Sequence, residues 1–504
     1  MTEPSQPAHP PSWRSVRRIA AALAAVLATV LIVFVTNVGG LRSRVAGGQP
    51  RIGSIAILPL ENLSRDPGQE YFADGQTEAL IADVAQLGAL RVIARASMMA
   101  YKATGKPHPQ VARELSADVV VTGSVLRIGD RVRMTVRLVT APTSRPVWEK
   151  SAERDLKDLP LLRSELVQAL AEELQVAQSA DERTRLARAK PVVPEAQELY
   201  LQGRFRMHRG TDQDLQQAIA LFEQAIGRDA MDAQAWTSLA ESQMARLAGV
   251  GPPADVMPKV KAAAERAIGL DGSLAAAHTV LGLVHLQWDW DWAGAEREMK
   301  HALDLSPSSG DAHAAYGMLL TVMGRGDEAV AENWLAQQSD PLSVPVNLTA
   351  GWSNFQARRF EQALVDFGTA IDIDPRSGPA HAGLAMALAQ KGRLAEALRE
   401  AERAVDADPS PVVLAVVGGV YAADGQATMA RRLRTLAVQG VRCSIDVAAI
   451  HVGLQDPGEA FRWLERGFQE RSACMPFVRT DARLDPLRAD RRYANLIDRM
   501  GFPK

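Results

Sequence analysis

Four patterns of apolar and polar positions succeed one another along the chain. Residues 19–38, IAAALAAVLATVLIVFVTNV, are twenty positions without a charge. At ~1.5 Å per residue they span roughly 30 Å, the hydrocarbon core of a bilayer. Residues 54–60, SIAILPL, form a short apolar run of the kind buried on both faces of a sheet. Strict alternation follows at 131–138: Val132, Met134, Val136 and Leu138 face one way, Arg131, Arg133, Thr135 and Arg137 the other. From about residue 156 the period becomes helical, with Leu162, Leu166, Leu170 and Leu174 along one stripe.

These patterns predict a mixed α/β domain over 52–155. Asp74 is the expected N-cap of a helix running to about Leu87, with Ile81, Val84 and Leu87 on one face. RVIA (91–94) reads as a second strand and 109–116 as a short helix. Residues 117–139 read as a hairpin turning at Gly129-Asp130, and 145–155 as an added edge strand. Residues 39–51, with Gly39, Gly40 and AGGQP, form a flexible tether between the predicted span and the sheet. Residues 156–194 make a connecting helix broken by Pro191 and Pro194.

Residues 52–155 also resemble a known family. IAILPLENLSRDPGQEYFADGQTEALIADV, then VIAR, then GSV ahead of the hairpin, are similar to the domain related to the N-terminal part of TolB and to FlgO. The resemblance implies a bacterial protein, with that domain set beside tetratricopeptide repeats. Relatives of this architecture carry a winged-helix DNA-binding domain or a class III adenylyl cyclase domain. The eighteen residues ahead of the span are too few to hold either, so neither activity is expected here.

The remainder repeats. Pro307, Pro341, Pro375 and Pro409 step by 34 residues, as do Gly317, Gly351 and Ala385, and Ala329, Ala363 and Ala397. Ala302, Ala336, Ala370 and Ala404 keep the same step. A 34-residue period with small residues where two helices cross, closed by proline, is the tetratricopeptide signature. It predicts an all-α solenoid of seven or eight helix pairs over 195–475, ended by a cap at 476–504 with a polar outer face.

Composition narrows the function. A net charge of −2 and a pI near 6.5 supply no basic field for nucleic acid. The phosphate-loop patterns GxxxxGK[ST] and GxGxxG are missing, and no acid/base pair or nucleophile constellation stands out. No cofactor or metal is expected. Trp236, His278, His313 and His381 share one repeat position, which reads as packing rather than a metal ladder. Around the predicted helix start, Asn62, Ser64, Asp74, Gly75 and Thr77 are candidates for a small polar cleft; simple capping explains the same residues. The insert WDWDW (288–292) is open to two readings, an exposed epitope or a cover over a helix junction. Cys443 and Cys474 either pair in an oxidising compartment or remain small buried hydrophobes.

In such a solenoid the first helix of each pair lines the inner groove. The expected groove positions are Leu283, Leu286, Gln287, Met318, Thr321, Trp352, Phe355, Gln356, Met386 and Gln390. Aromatic, methionine and glutamine side chains suit an apolar peptide or protein segment, with Trp352 and Phe355 as anchors. Arg14, Arg17 and Arg18 precede the span and Arg42 and Arg44 follow it, which favours a cytoplasmic tail at 1–18. The expectation is a single-pass inner-membrane protein, its bulk periplasmic, acting as a non-enzymatic scaffold for protein partners. The alternative is a signal-transduction component related to repeat-containing transcriptional regulators or adenylyl cyclases but lacking their effector domain. Oligomeric state is left open.

Overall fold

The computed structural model describes residues 52–503 apart from 65, 103, 141–145, 177, 188–189, 248–252, 439 and 441–442. The predicted membrane span at 19–38 lies outside the described residues. Among those described, no helix is long and apolar enough to cross a membrane.

Strand β1 (Ser54–Ile57) is buried along its whole length. It pairs in parallel with β3 (Arg91–Val92) and with β4 (Val119–Ile128), while β2 (Glu61–Asn62) adds to β4 beyond Pro59. β4, β5 (Arg131–Thr140) and β6 (Pro146–Asp155) continue antiparallel, giving the order β3-β1-β4-β5-β6. The alternation on β5 resolves as its sequence implies. Val132, Met134, Val136 and Leu138 are buried; Arg131, Arg133 and Arg137 pair with Glu149 and Glu153 of β6 on the open face. The intervening helices are α1 (Glu70–Ala85), α2 (Arg95–Met99) and α3 (His108–Glu114).

Helix α1 corrects one expectation. It begins four residues before Asp74, after a 3-10 turn at Pro67–Gln69 that Asp66 caps by accepting from the Gly68 amide at 2.8 Å. Asp74 is instead mid-helix and buried, paired with Lys102. Pro67 fixes a helical φ seven residues ahead of Asp74, and the cation that claims Asp74 lies 28 residues away.

After α4 (Leu159–Glu173), whose leucine stripe is buried against the sheet, comes α5 (Ala180–Ala187). Eight helix pairs follow among the described residues. They are α6 (Pro194–Met207) with α7 (Asp212–Arg228), and α8 (Ala233–Arg246) with α9 (Pro253–Leu270). Next stand α10 (Ala275–Val284) with α11 (Trp292–Leu305), and α12 (Gly310–Val322) with α13 (Gly326–Ser339). Then α14 (Val344–Gln356) packs with α15 (Phe360–Ile373), and α16 (Gly378–Gln390) with α17 (Leu394–Ala407). The last are α18 (Pro411–Ala423) with α19 (Ala427–Ala437), and α20 (Ser444–Gly453) with α21 (Pro457–Gln469).

The 34-residue alanines are fully buried where helices cross. Phe367 shows why small residues are needed: a Cβ on Gly351 would come within 2.7 Å of its ring and one on Gly383 within 2.5 Å. The shared histidine position is a clamp. Nδ1 of His278, His313 and His381 faces Glu298, Glu332 and Glu400 at 2.8, 2.6 and 2.7 Å. Each Nε2 faces the carbonyl of Gly272, Pro307 or Pro375 at 2.9–3.2 Å. Both partners are hydrogen-bond acceptors, and together they fix the ring between the two helices of the pair. Trp236 does half of this, donating Nε1–H to the Ala230 carbonyl at 3.1 Å.

The WDWDW insert forms a single π turn at His285–Asp289 and a left-handed Trp290 at φ 58°. One extra residue is accommodated this way without losing the repeat phase. Its tryptophans cover the junction: Trp292 stacks on Phe502 and Trp290 lies against Phe468. The chain ends in two 3-10 turns, Met475–Arg479 and Ala482–Leu487, and α22 (Arg491–Met500). Cys443 and Cys474 are bonded, with Cα atoms 5.4 Å apart.

Candidate functional site

The first helices pack side by side and form the inner wall, but the chain itself covers that wall in two places. Over the first pairs lies α1. A Cβ on Gly75 would stand 2.5 Å from a terminal methyl of Leu201 of α6, so glycine lets the two helices approach without moving that side chain. Around it the contacts are charged. Glu78 pairs with Arg204, Arg95 and His208, and Arg204 also reaches Glu241 at 2.6 Å. Arg127 donates to Glu198 at 2.6 Å. Further along, the Ala94 amide donates to the Ser339 carbonyl at 2.8 Å, and the Ser97 amide and hydroxyl both donate to Asp340.

A cavity of about 300 Å³ remains between α1, α6, α8 and the starts of α10 and α12, lined by Glu78, Arg95, Tyr200, Arg204, Glu241 and Asp311 among others. Burial pulls the Glu78 carboxyl up, but Arg204, His208 and Arg95 prevail and hold it well below the usual carboxylate range. Burial wins at Glu241, which is pushed up, and pushes Asp340 up to about 6.

The second cover is the terminal segment 475–487. Val478, Leu484 and Leu487 join one apolar cluster with Leu286, Leu319 and Leu320 of the inner wall. Ala482 joins a second cluster with Phe355 and Met386. Asp481 accepts from Gln356 at 3.4 Å, Asp485 takes both terminal nitrogens of Arg358 at 2.6 Å, and Arg483 reaches Asp446 of α20 at 2.8 Å.

The predicted groove residues fall into two sets. Leu286, Thr321, Phe355, Gln356 and Met386 are between 0% and 7% exposed. Leu283, Gln287, Met318 and Trp352 are half-buried, and Gln390 is exposed. Phe355 is thereby corrected: it is a core side chain beside Phe360, with ring centroids 5.4 Å apart, and offers no surface anchor in this arrangement. Its ring partners, Trp352 and Phe360, belong to its own helix pair; the neighbouring Gln356 is engaged by Asp481 of the terminal segment, 125 residues away, which helical phase alone cannot place.

The predicted polar cleft also divides. Asn62 donates to Glu70 and Ser64 to Asn62, while Lys102 joins Glu70 to Asp74. Gly75 turns to Leu201 instead, and Thr77 is buried, receiving the Leu60 amide at 2.9 Å. Sequence reasoning passed over Arg204, Asp340, Arg358 and Asp481. The one available signal was the paired aspartates of DARLDPL.

Residues 354–418 match the tetratricopeptide repeat family model. The chain therefore carries tetratricopeptide repeats, a protein-interaction fold, behind a small mixed sheet. A protein of Rhizobium meliloti (strain 1021), provisionally named adenylate cyclase 3, is 32% identical over 241 residues. The match covers 47% of this chain and 41% of that protein, so the chain spans about two-fifths of the relative's length. Among solved structures, Pseudomonas aeruginosa PilF is 21% identical, covering 46% of this chain and 99% of its own, with a TM-score of 0.31. Yeast Tom70 is 14% identical, covering 68% and 85%, with a TM-score of 0.38.

Proposed function

We propose that the protein is a membrane-anchored scaffold that recruits protein partners through its tetratricopeptide repeats. Residues 19–38 hold it in the inner membrane as a single span, with the bulk of the chain on the periplasmic side. The carrying observation is the run of eight helix pairs with a shared inner wall, the geometry that receives extended or helical segments. Leu283, Gln287, Met318, Trp352 and Gln390 are the groove positions with accessible surface, and their apolar and amide chemistry favours an apolar partner segment. Leu286, Thr321, Gln356 and Met386 join them only where the terminal segment moves aside.

A second reading draws on the relative named as an adenylate cyclase. In it the chain is a signalling component whose α/β domain and repeats act on an effector held elsewhere.

Photo-crosslinking residues placed at Leu283 and Gln390, with Trp334 on an outer helix as control, test the scaffold. Partner adducts from the first two and none from Trp334 support it; no adducts from either groove position refute it. Adducts that change with a stimulus favour the signalling reading. Alkaline phosphatase and green fluorescent protein fused separately after Lys504 test the topology, since phosphatase activity without fluorescence is expected.

A further inference from the structure

The geometry points to residues 475–487 as a redox-controlled latch. The Cys443–Cys474 bridge holds the segment over the groove, and a dithiol that reduces it uncovers a docking surface. The partner chemistry is that of the segment itself: apolar side chains interleaved with aspartates and arginines. This inference rests on the scaffold reading and deepens it.

The segment is attached in an unusual way. Its main-chain hydrogen bonds close locally, from Phe477 to Cys474, Thr480 to Phe477 and Leu484 to Asp481. Among the described residues, side chains and apolar contact hold it to the repeats. Those side chains include charges taken out of water: Asp481 is 1% exposed and Asp446 5%, with Arg483 between them at 2.7 and 2.8 Å. Burial raises the Asp446 carboxyl against the pull of Arg483. A buried ion group of this kind roughly breaks even against its desolvation. The side-chain oxygen of Gln356 is buried with no hydrogen-bond partner, a further cost of closure. Thr480 of the segment borders an open cleft with Thr321, Gln356 and Arg358, so closure is incomplete.

What favours closure is apolar burial, the exposed Arg358–Asp485 pair, the Tyr493 hydroxyl donating to the Val478 carbonyl, and the bridge. Cys474 is the residue immediately before the segment, and Cys443 is the N-cap of α20. The bond therefore pins the residue just ahead of the segment to the same helix whose Asp446 receives Arg483. Thiol–disulfide exchange with a dithiol leaves two protein thiols and oxidises the dithiol to its own disulfide, so electrons and protons balance. The segment then keeps its short link to α21 at one end and α22 at the other, where the Tyr493 hydroxyl donates to the Val478 carbonyl and Arg488 pairs with Asp485. The uncovered wall offers Leu319, Leu320 and Met386 to aliphatic side chains and Gln356 and Arg358 to carboxylates.

Hydrogen–deuterium exchange on the full chain in detergent, with and without dithiothreitol, tests the latch. On reduction, exchange in 475–487 is expected to rise about ten-fold or more while α12, α14 and α16 keep their rates, the mark of a separate opening unit. Cys443→Ser should give the same pattern without reductant. A photo-crosslinking peptide of residues 475–487, offered at about 1 mM to match a tethered competitor, should then label α12 or α14 of the reduced chain and not of the oxidised chain. Unchanged exchange in 475–487, or a rise only in step with α14, overturns the latch and leaves the scaffold reading standing. Opening of the segment with no peptide labelling overturns the docking surface, and with it the groove reading of the scaffold.

Discussion

The two covers of the inner wall differ in kind. The α/β domain meets the first helix pairs through Glu78, Arg204, Arg95 and the Ser97–Asp340 hydrogen bonds, around an open cavity. The terminal segment meets the later pairs through a continuous apolar cluster and a covalent bridge. Polar contacts around a cavity are screened by salt and respond to proton concentration. Apolar contacts respond to neither, and a disulfide responds to electrons. One solenoid thus has one end held by electrostatics and the other by burial and redox chemistry.

The comparison breaks most clearly at Arg204. Removing it as Arg204→Ala takes away the cation shared by Glu78 and Glu241 and leaves Glu78 to Arg95 and His208, an expected loss of about 3 kcal/mol. Denaturant unfolding should register the loss, with exchange rising at α1 and α6 and the terminal segment unaffected. Equal exchange at both ends would mean the two covers act as one.

Cys443→Ser acts on the other end. The bridge spans a sequence separation of 31, for which chain entropy gives about 3–4 kcal/mol. A shift of the thermal midpoint in oxidised wild type but not in the variant or the reduced protein is the expected readout.

Asp340 sharpens the contrast through pH. Burial lifts its carboxyl from 3.8 to about 6, so over that window the folded chain binds the proton more readily than the unfolded chain. That part of the stability is present below about pH 4 and is lost as pH rises through 6, at most about 3 kcal/mol. Asp340→Asn keeps an acceptor for Ser97 and should flatten the stability profile between pH 4 and 6. A profile as steep as wild type would place the titration elsewhere.

The smallest expected effect is Arg358→Ala. Its bidentate pair with Asp485 is largely exposed, at 46% and 40%, and should contribute under about 1 kcal/mol. A larger loss in chemical denaturation would show that the terminal segment depends on charge after all.

Much of the fold was legible from spacing. Period 2 on 131–138 placed one face of β5 in the core, and period 34 placed the alanines and glycines where helices cross. The inserted residue before Trp292 was legible as an insertion, and the structure absorbs it as a π turn. The start of α1 was misread because Asp74 looked like a cap, when the turn chemistry of Asp66 and Pro67 had already begun the helix. The candidate site was legible only in outline. Helical phase put Phe355 and Leu286 on the inner wall, but phase is a local property and carries no information about what arrives from 125 residues away.

The sequence by itself determined the kind of unit and its repetition, because side-chain periodicity and backbone sterics act between neighbours along the chain. The tertiary structure alone decided that the inner wall is covered. It decided that α1 fills one end, that residues 475–487 fill the other, and that Cys443 meets Cys474. Those outcomes depend on the accumulated curvature of eight packed helix pairs, which brings distant segments together, and no local pattern encodes that sum.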